Sequence, residues 1–274
     1  MTLTPAMNGT SSRRSKPRPI GHGALWLLAC LLAARGGSPA EAGLTVSGQG
    51  GAEEPSAEAL LARSIAHHDP DERWRAGAHR LVLDEVRPDG RSRQSTIVID
   101  NRRSFFDLVS RRDGRLVEFS VHDDEVEATL DGSRDFSPEA AERYNLGPDR
   151  ARRMRNYYTY LYGLPMKLGD PGVRLDPDAR FETFQGRDVY ALRVTYDEAV
   201  GRDTWYFYLD RDTCALVGYQ FFHDESQNDG EYIVLEEEAV HRGVRLPKVR
   251  RWYMNQDNRH LGTDTITSFG EAVP

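Results

Sequence analysis

The sequence predicts a mainly β protein in which a large antiparallel sheet is interrupted by one helical segment. From Ala78 onward, apolar and polar residues alternate in short runs, which is typical of strands with one buried face. Turn sequences such as Arg-Pro-Asp-Gly at residues 87–90 separate the runs, and links this short favour antiparallel pairing. Between about residues 137 and 163 the apolar period changes to that of a helix.

The first element is a helix that begins after Ser56, a capping residue, and ends near His67. Strands follow, the first of which alternates Leu81 and Leu83 with Val82 and Asp84. The later strands are predicted at residues 95–100, 104–110, 116–122, 125–130, 180–185, 189–196, 204–209, 215–222, 231–238, 249–254 and 263–269. The sheet therefore contains about a dozen strands.

Two helices are predicted in the middle of the chain. Ser137 and Pro138 form a typical helix start, and Pro148 begins the second helix. Apolar side chains recur along one face of this second helix at Met154, Tyr157, Tyr158, Leu161 and Tyr162, whereas Arg152, Arg153 and Arg155 lie off that face and are expected in solvent. We expect Gly163 to end the helix in a left-handed conformation, and Pro165 prevents its continuation.

Residues 1–42 have the features of a signal peptide. Basic residues at 13–18 precede an apolar run at 24–34, and Ala40-Glu41-Ala42 predicts cleavage after Ala42. The protein is therefore expected to be exported, as a mature chain without a membrane span. A lipobox-like Leu-Leu-Ala-Cys at 27–30 would instead place a lipid anchor on Cys30, and Arg13-Arg14 resembles a twin-arginine signal. Residues 43–55 are rich in glycine and glutamate and predict a flexible linker before a domain at 56–274.

The composition excludes several kinds of partner and site. The whole chain has 36 basic and 43 acidic residues, and the predicted leader removes five basic and one acidic, which leaves a formal net charge near −11. Such a charge argues against binding nucleic acid and gives no help at anionic lipid surfaces. Cys214 is the single cysteine of the mature sequence, so neither an internal disulfide nor a cysteine zinc site is expected.

No phosphate-binding loop, nucleophile elbow or His-Glu-x-x-His motif is present in the sequence. The best polar clusters are His67-His68-Asp69 and His223-Asp224-Glu225, and a metal site would have to join His68, Asp69, His223 and Asp224 across space. Contiguous residues do not face one another on a helix or a strand, so we expect no metal site and no cofactor. The sequence Leu-Glu-Glu-Glu-Ala-Val at 235–240 is expected to be a solvated strand end or turn.

Aromatic residues two apart in the later strands line single faces of the sheet. Trp205 and Phe207 share one face, as do Val217, Tyr219 and Phe221, and the same holds for Trp252 and Met254. These side chains either form the core between sheet and helices or line a ligand cavity there, and the pattern alone leaves both open. If they line a cavity, its wall consists of Tyr157, Tyr158, Leu161, Tyr162, Trp205, Phe207, Tyr219, Phe221 and Trp252, and few charges are expected in it.

The segments His67–Trp74, Tyr157–Gly172 and the aromatic strands after Trp205 resemble an exported bacterial family of unknown function, over about residues 56–270. That family is similar to the LolA-like superfamily, which includes LolB, mycobacterial lipoprotein carriers and RseB. The resemblance implies an unclosed antiparallel β-barrel of about eleven strands, with helices over its concave side. In that superfamily the helices lie over a hydrophobic cavity. The predicted leader, the absence of a nucleophile motif and the aromatic content add to this, so we expect a periplasmic or extracellular, monomeric protein that carries or senses an apolar ligand, such as a lipid or a lipoprotein acyl chain, without catalysis. A metal-dependent or hydrolytic enzyme, and a protein-interaction module of the cell envelope, stay open as alternatives.

Overall fold

The computed structural model describes residues 55–272. The helices are α1 (Ala57–His68), α2 (Arg73–Ala76), α3 (Pro138–Tyr144) and α4 (Pro148–Tyr162). The strands are β1 (Ala78–Val86), β2 (Ser92–Asp100), β3 (Phe105–Arg112), β4 (Arg115–His122), β5 (Glu125–Leu130), β6 (Val173–Leu175), β7 (Arg180–Phe184), β8 (Arg187–Tyr196), β9 (Thr204–Asp210), β10 (Leu216–Phe222), β11 (Glu231–His241), β12 (Val244–Met254) and β13 (His260–Glu271). The predicted signal peptide, its cleavage site, Cys30 and nearly all of the predicted linker lie outside the described residues.

The described strands form one antiparallel sheet that is not closed. Its order is β5-β4-β3-β2-β1-β13-β12-β11-β10-β9-β8, and β6 and β7 both pair with the outer side of β8. Strand β1 therefore lies beside β13, from the other end of the described chain. The prediction of an unclosed antiparallel sheet with helices is confirmed. The sheet has 13 strands rather than about eleven, and β6 was missed because three residues are too few to show alternation.

One face of the sheet is covered by α1, α3 and α4, and we call it the helix-covered face. Alternate residues of the strands pack there with the helices in the main core, which includes Leu60, Leu81, Phe119 and Leu161. A smaller cluster that includes Phe184 and Tyr208 lies on the opposite, open face. The helices therefore pack on one face of the sheet and leave the other face open.

The local signals place three helix starts where the sequence predicts them. The hydroxyl oxygens of Ser56 and Ser137 accept hydrogen bonds from the amides of Ala59 and Ala140, each at 3.2 Å, and Pro148 begins α4. The expectation for Gly163 is wrong, because its φ of −89° is right-handed. Glycine is instead needed because a Cβ atom there would lie 2.6 Å from the Thr159 carbonyl oxygen.

Two other expectations need correction, and a third is confirmed. Val217 does not share a face with Tyr219, because an irregularity between Leu216 and Gly218 turns it into the open-face cluster. Arg152 and Arg155 are only partly in solvent, since they donate hydrogen bonds to the carbonyl oxygens of the β4–β5 turn at 3.1 and 2.9 Å. The expectation of a solvated strand end at residues 235–240 is confirmed, because these residues form the terminal part of β11, which ends at His241, and Glu237, Glu238 and Val240 are exposed.

None of the helices within residues 55–272 is both long enough and apolar enough to span a bilayer.

Candidate functional site

All nine residues predicted to line a cavity meet between α4 and the helix-covered face, and we call this group the aromatic layer. Seven of them are buried: Tyr158, Leu161, Tyr162, Trp205, Phe207, Tyr219 and Phe221. Tyr157 and Trp252 are only partly covered. Strand pairing brings the strand members together, because Trp205 lies opposite Phe221 and Phe207 opposite Tyr219. The structure therefore unites residues that are up to 95 positions apart in the sequence.

The rings of the aromatic layer pack on one another. Trp205 stacks on Phe221 with centroids 4.8 Å apart and lies edge-to-face with Tyr160 of α4 at 5.8 Å. At the other side of the layer, Tyr157 stacks on Trp252 at 6.3 Å. Offset and edge-to-face arrangements at these separations are the favourable geometries for aromatic pairs. Side chains thus fill the layer in this structure, and α4 is held to the sheet mainly by aromatic contacts.

Two polar atoms buried inside the aromatic layer, the indole nitrogen of Trp205 and the hydroxyl of Tyr162, have no hydrogen-bond partner among the described residues. A third, the hydroxyl of Tyr219, has only the Arg250 guanidinium beside it. An unsatisfied buried donor costs on the order of 1–3 kcal/mol relative to its hydrated state. Phenylalanine at position 162 would avoid this cost.

A row of charged side chains, which the sequence pattern did not predict, crosses the helix-covered face beside the aromatic layer. Glu85 of β1 lies opposite Arg93 of β2 and opposite Asp264 of β13, and Asp264 lies opposite Arg250 of β12. Residues directly opposite in a sheet project from the same face, and Glu85 continues the alternation of Leu81 and Leu83. The expectation of few charges is therefore wrong for the margin of this layer.

Glu85 is the best-satisfied member of the charged row. Both of its oxygens accept from the Arg93 guanidinium, while Ser95 donates at 2.6 Å and the Tyr158 hydroxyl at 3.3 Å. Burial opposes ionisation of Glu85, but these donors and the Arg93 charge together hold its pKa below the usual value. The carboxylate is thereby fixed in its charged form and tethers Tyr158 of α4 to β1.

Asp264 and Arg250 have fewer partners. Asp264 accepts one hydrogen bond from the Trp252 indole at 3.0 Å, and burial, with the nearby charge of Glu85, raises its pKa to about 7. Arg250 is 1% exposed, donates to the Pro247 carbonyl at 2.6 Å and lies with its guanidinium carbon 3.8 Å from the centre of the Tyr162 ring. A buried cation on an aromatic face is stabilised by the ring quadrupole.

The raised pKa of Asp264 predicts a loss of stability with increasing pH. The folded state holds the Asp264 proton more tightly than the unfolded state, in which the carboxyl has a pKa near 3.8. The stabilisation that comes from this proton is therefore fully present below about pH 4, and it is lost as the pH rises through 7. Asp264→Asn keeps an acceptor for Trp252 and removes the titration. The free energy of unfolding of Asp264→Asn, measured with urea and relative to that of the wild type, should rise by about 1–2 kcal/mol between pH 4 and pH 8. This value is reduced because Asp264 is partly exposed.

Asp124→Asn is the matched control, because Asp124 is an exposed carboxylate in the β4–β5 turn. Glu231, whose burial also raises its pKa to about 7, is present in all three proteins, so its titration cancels from the comparison. If the stability curves of Asp264→Asn and wild type run parallel from pH 4 to pH 8, Asp264 does not titrate as stated.

The signal that could have identified the charged row lies in the strand alternation. Arg93 precedes Ser95 and Ile97 at intervals of two, just as Glu85 follows Leu81 and Leu83. Charged residues near strand ends are usually exposed, so this alternation by itself did not indicate that Glu85 and Arg93 are partly buried. Only the pairing of β1 with β13 brings Glu85 next to Asp264.

The two histidine-carboxylate clusters lie at opposite ends of β10. His68 accepts a hydrogen bond from the Leu216 amide at 2.9 Å, at one end of β10, and its other ring nitrogen bonds the Arg245 carbonyl oxygen. His223 follows the other end, about 20 Å away at the rise of a strand. Burial lowers the pKa of His68 to about 4. The structure therefore does not bring the pair His68 and Asp69 to His223 and Asp224.

The carboxylates of the two clusters also have local partners. Asp69 accepts the amides of Arg73 and Trp74 at 2.8 Å, and Asp224 accepts the amide of Ser226 at 2.9 Å. His223 bonds Asp203 at 2.7 Å. Within residues 55–272, no group of three or more His, Cys, Asp or Glu side chains is placed to hold a metal ion.

Two hollows lie away from the aromatic layer. One, of about 330 Å³, is bordered by Phe184, Val217, Val234 and Tyr253 on the open face. The other, of about 220 Å³, lies near His68, Thr213 and Leu216. None of the nine residues of the aromatic layer borders either hollow.

Comparison with known proteins gives the family. A family model described as a family of unknown function, DUF6503, matches residues 45–268. The chain belongs to the DUF6503 family. No curated protein matches this DUF6503 chain.

The fold of this DUF6503 chain is similar to several solved structures at low identity. A LolA superfamily protein from Nitrosomonas europaea is 11% identical, with a TM-score of 0.49, over 80% of this chain and 96% of that one. A domain named for outer membrane lipoprotein sorting, from Vibrio parahaemolyticus, is 12% identical, with a TM-score of 0.44, over 76% and 90%. A DUF1329 family protein from Desulfovibrio piger is 11% identical, with a TM-score of 0.41, over 79% and 93%.

Proposed function

We propose that this DUF6503 chain is an exported, non-enzymatic binding protein that holds an apolar molecule, such as a lipid or an acyl chain, between α4 and the helix-covered face. The aromatic layer is the observation that carries the proposal. Ligand sites for apolar molecules are lined by aromatic side chains with a few placed polar groups, and this layer has that composition. The unpartnered Trp205 indole and Tyr162 hydroxyl supply polar groups that a ligand can satisfy.

The cover of this site is α4. Its C-terminal end is anchored, because Leu164 and Leu168 just beyond it are buried. Its N-terminal half is also attached, because Ala151 and Met154 are buried and Arg152 and Arg155 donate hydrogen bonds to the β4–β5 turn. A ligand that enters the aromatic layer therefore has to break contacts of α4 with the sheet. The free energy needed to separate α4 from the sheet is then subtracted from the free energy of binding, which lowers the apparent affinity for the ligand.

Export is part of the same proposal and depends on the predicted signal peptide at residues 1–42. A protein that carries or senses an apolar molecule between membranes needs no catalytic group and no membrane span of its own. The form carried outside the cytoplasm is either the chain from Gly43 or a chain anchored at Cys30. We propose that it acts as a monomer, because one chain supplies both the sheet and its cover.

The test is the binding of N-phenyl-1-naphthylamine, a neutral apolar probe that fluoresces in apolar surroundings. We expect micromolar or tighter affinity for the wild type. Trp252→Ala should weaken binding about tenfold, since it removes one aromatic wall of the site. Tyr253→Ala is the matched control: it removes the next aromatic residue of β12, which projects from the opposite face and stacks on Tyr232 at 5.0 Å. It should leave the affinity unchanged.

Circular dichroism at the assay temperature must show that both variants are folded. Equal weakening by Trp252→Ala and Tyr253→Ala would place the probe outside the aromatic layer. Absence of probe binding to the folded wild type would overturn the proposal, and would favour an envelope module that recognises another protein through its outer surface. Activity lost on chelation or on removal of His68 would favour the enzyme alternative instead.

A further inference from the structure

Three arginines meet at the margin of the aromatic layer with one carboxylate between them. Arg93 is engaged with Glu85. Arg112, at the end of β3, is opposite Arg93 when the register of Ser95 with Ser110 is extended by two residues. Arg150 lies in the first turn of α4. All three are partly buried, so the group lies at the rim of the site rather than at its centre.

Two of these arginines have almost no partners. Arg112 makes one long hydrogen bond, from Nη1 to the Tyr144 carbonyl oxygen at 3.4 Å, while its Nε and Nη2 atoms are buried without an acceptor among the described residues. The Nε atom of Arg150 is likewise buried and unpartnered. Burial and the charge of Arg93 lower the pKa of Arg112, and burial with the charge of Arg112 lowers the pKa of Arg150 to about 10. The ligand-free protein therefore holds two uncompensated cations.

The start of α4 adds to this positive field. The helix N-terminus carries a partial positive charge. Its capping residue is Gly147, which has no side chain to accept a hydrogen bond from the amides of the first turn. Tyr158, two turns further along, connects the arginines to the aromatic layer, because its hydroxyl donates to the Glu85 carboxylate that Arg93 holds. An anion at the rim would thus lie at one end of the aromatic layer.

We propose that Arg112 and Arg150 bind the anionic head group, a carboxylate or a phosphate, of the molecule whose apolar part occupies the aromatic layer. This inference rests on the proposed function and adds the chemical class of the ligand, an anionic amphiphile. The planar guanidinium presents paired N–H donors that match carboxylate and phosphate oxygens. The unpartnered Nε and Nη atoms are the donors that such an anion would satisfy.

The experiment compares three ligands with the same alkyl chain: dodecanoate, dodecyl phosphate and dodecanol. Each displaces N-phenyl-1-naphthylamine from the full mature protein, below its micelle concentration and at a pH where both anions are ionised. We expect at least one of the anions to bind about tenfold or more tightly than dodecanol, since a charge-assisted hydrogen bond contributes that factor. Whether the carboxylate or the phosphate is preferred distinguishes a fatty acid from a phospholipid-like source.

Arg112→Gln and Arg150→Gln should each remove most of this preference and leave dodecanol affinity unchanged. Arg153→Gln is the matched control, because Arg153 is exposed on the same helix and the substitution removes the same charge. It should keep the preference. Equal affinity of dodecanol and both anions for the wild type would overturn the head-group inference while the proposed function stands. Failure of the neutral probe and of dodecanol to bind is instead a failure of the proposed function.

Thermal unfolding of the ligand-free variants tests the same inference independently. Because the two cations are uncompensated without ligand, Arg112→Gln and Arg150→Gln should melt at the same temperature as the wild type or higher. A structural role predicts the reverse. Melting well below the Arg153→Gln control by both variants would show that these arginines stabilise the fold, and would overturn their assignment to an anion.

Discussion

Leu161→Ala is expected to lower the free energy of unfolding by about 2–5 kcal/mol. Leu161 is 2% exposed and packs in the main core between α4 and the sheet. Its removal leaves a cavity among rigid aromatic rings, which cannot collapse easily because their positions are set by stacking on one another. Urea unfolding followed by far-ultraviolet circular dichroism measures the loss.

Arg153→Ala is the control for this prediction, since Arg153 is exposed on the same helix. Its effect should stay within about 0.5 kcal/mol, and alanine is also the better helix former. The orientation of α4 would be wrong if Arg153→Ala destabilised the protein as strongly as Leu161→Ala.

Gly218→Ala is expected to cost about 2–3 kcal/mol, although alanine is ordinarily tolerated in a strand. A Cβ atom at position 218 would lie 2.2 Å from the Cε1 atom of Phe184 and 2.9 Å from the Ile233 carbonyl oxygen. Phe184 is itself held over β10 by stacking on Tyr208, with centroids 4.0 Å apart. The new methyl group must therefore push the tip of the β7–β8 hairpin away from the open face.

Gly270→Ala in β13 is the matched control, because a Cβ atom there would meet nothing within 4 Å. It should be neutral or slightly stabilising. In a Phe184→Ala background, Gly218→Ala should lose at least about 1 kcal/mol of its cost, since the clashing ring is gone. The same cost with and without the Phe184 ring would show that the hairpin tip does not lie over Gly218.

The two stability predictions concern opposite faces of one sheet, and this separates the roles of the faces. The open face carries its own small cluster around Phe184 and does not depend on α4. The helix-covered face depends on α4 for its cover and contains the unpartnered polar groups and the charged row. Ligand binding that moves α4 should therefore leave the hairpin tip over Gly218 undisturbed.

Local sequence signals determined much of this fold. Capping at Ser56 and Ser137 and proline at position 148 act within one helical turn, so they could be read without any tertiary contact. Period-two alternation likewise located twelve of the strands, and the 3.6-residue stripe identified the buried face of α4. These features depend only on neighbouring residues in the chain, which is why the sequence by itself determined them.

The tertiary structure alone decided which strands lie side by side, and with that the chemistry of the candidate site. Glu85 and Asp264 are separated by 179 positions, and nothing local indicates that β1 pairs with β13. A one-residue irregularity at Val217 reversed a side chain that alternation placed on the other face. The arginines of the proposed head-group site come from β3 and α4, and only the docking of α4 brings Arg150 close to Arg112. The reason is physical: strand register and helix docking are set by contacts between distant segments, whereas periodicity reports only which side of its own element a residue occupies.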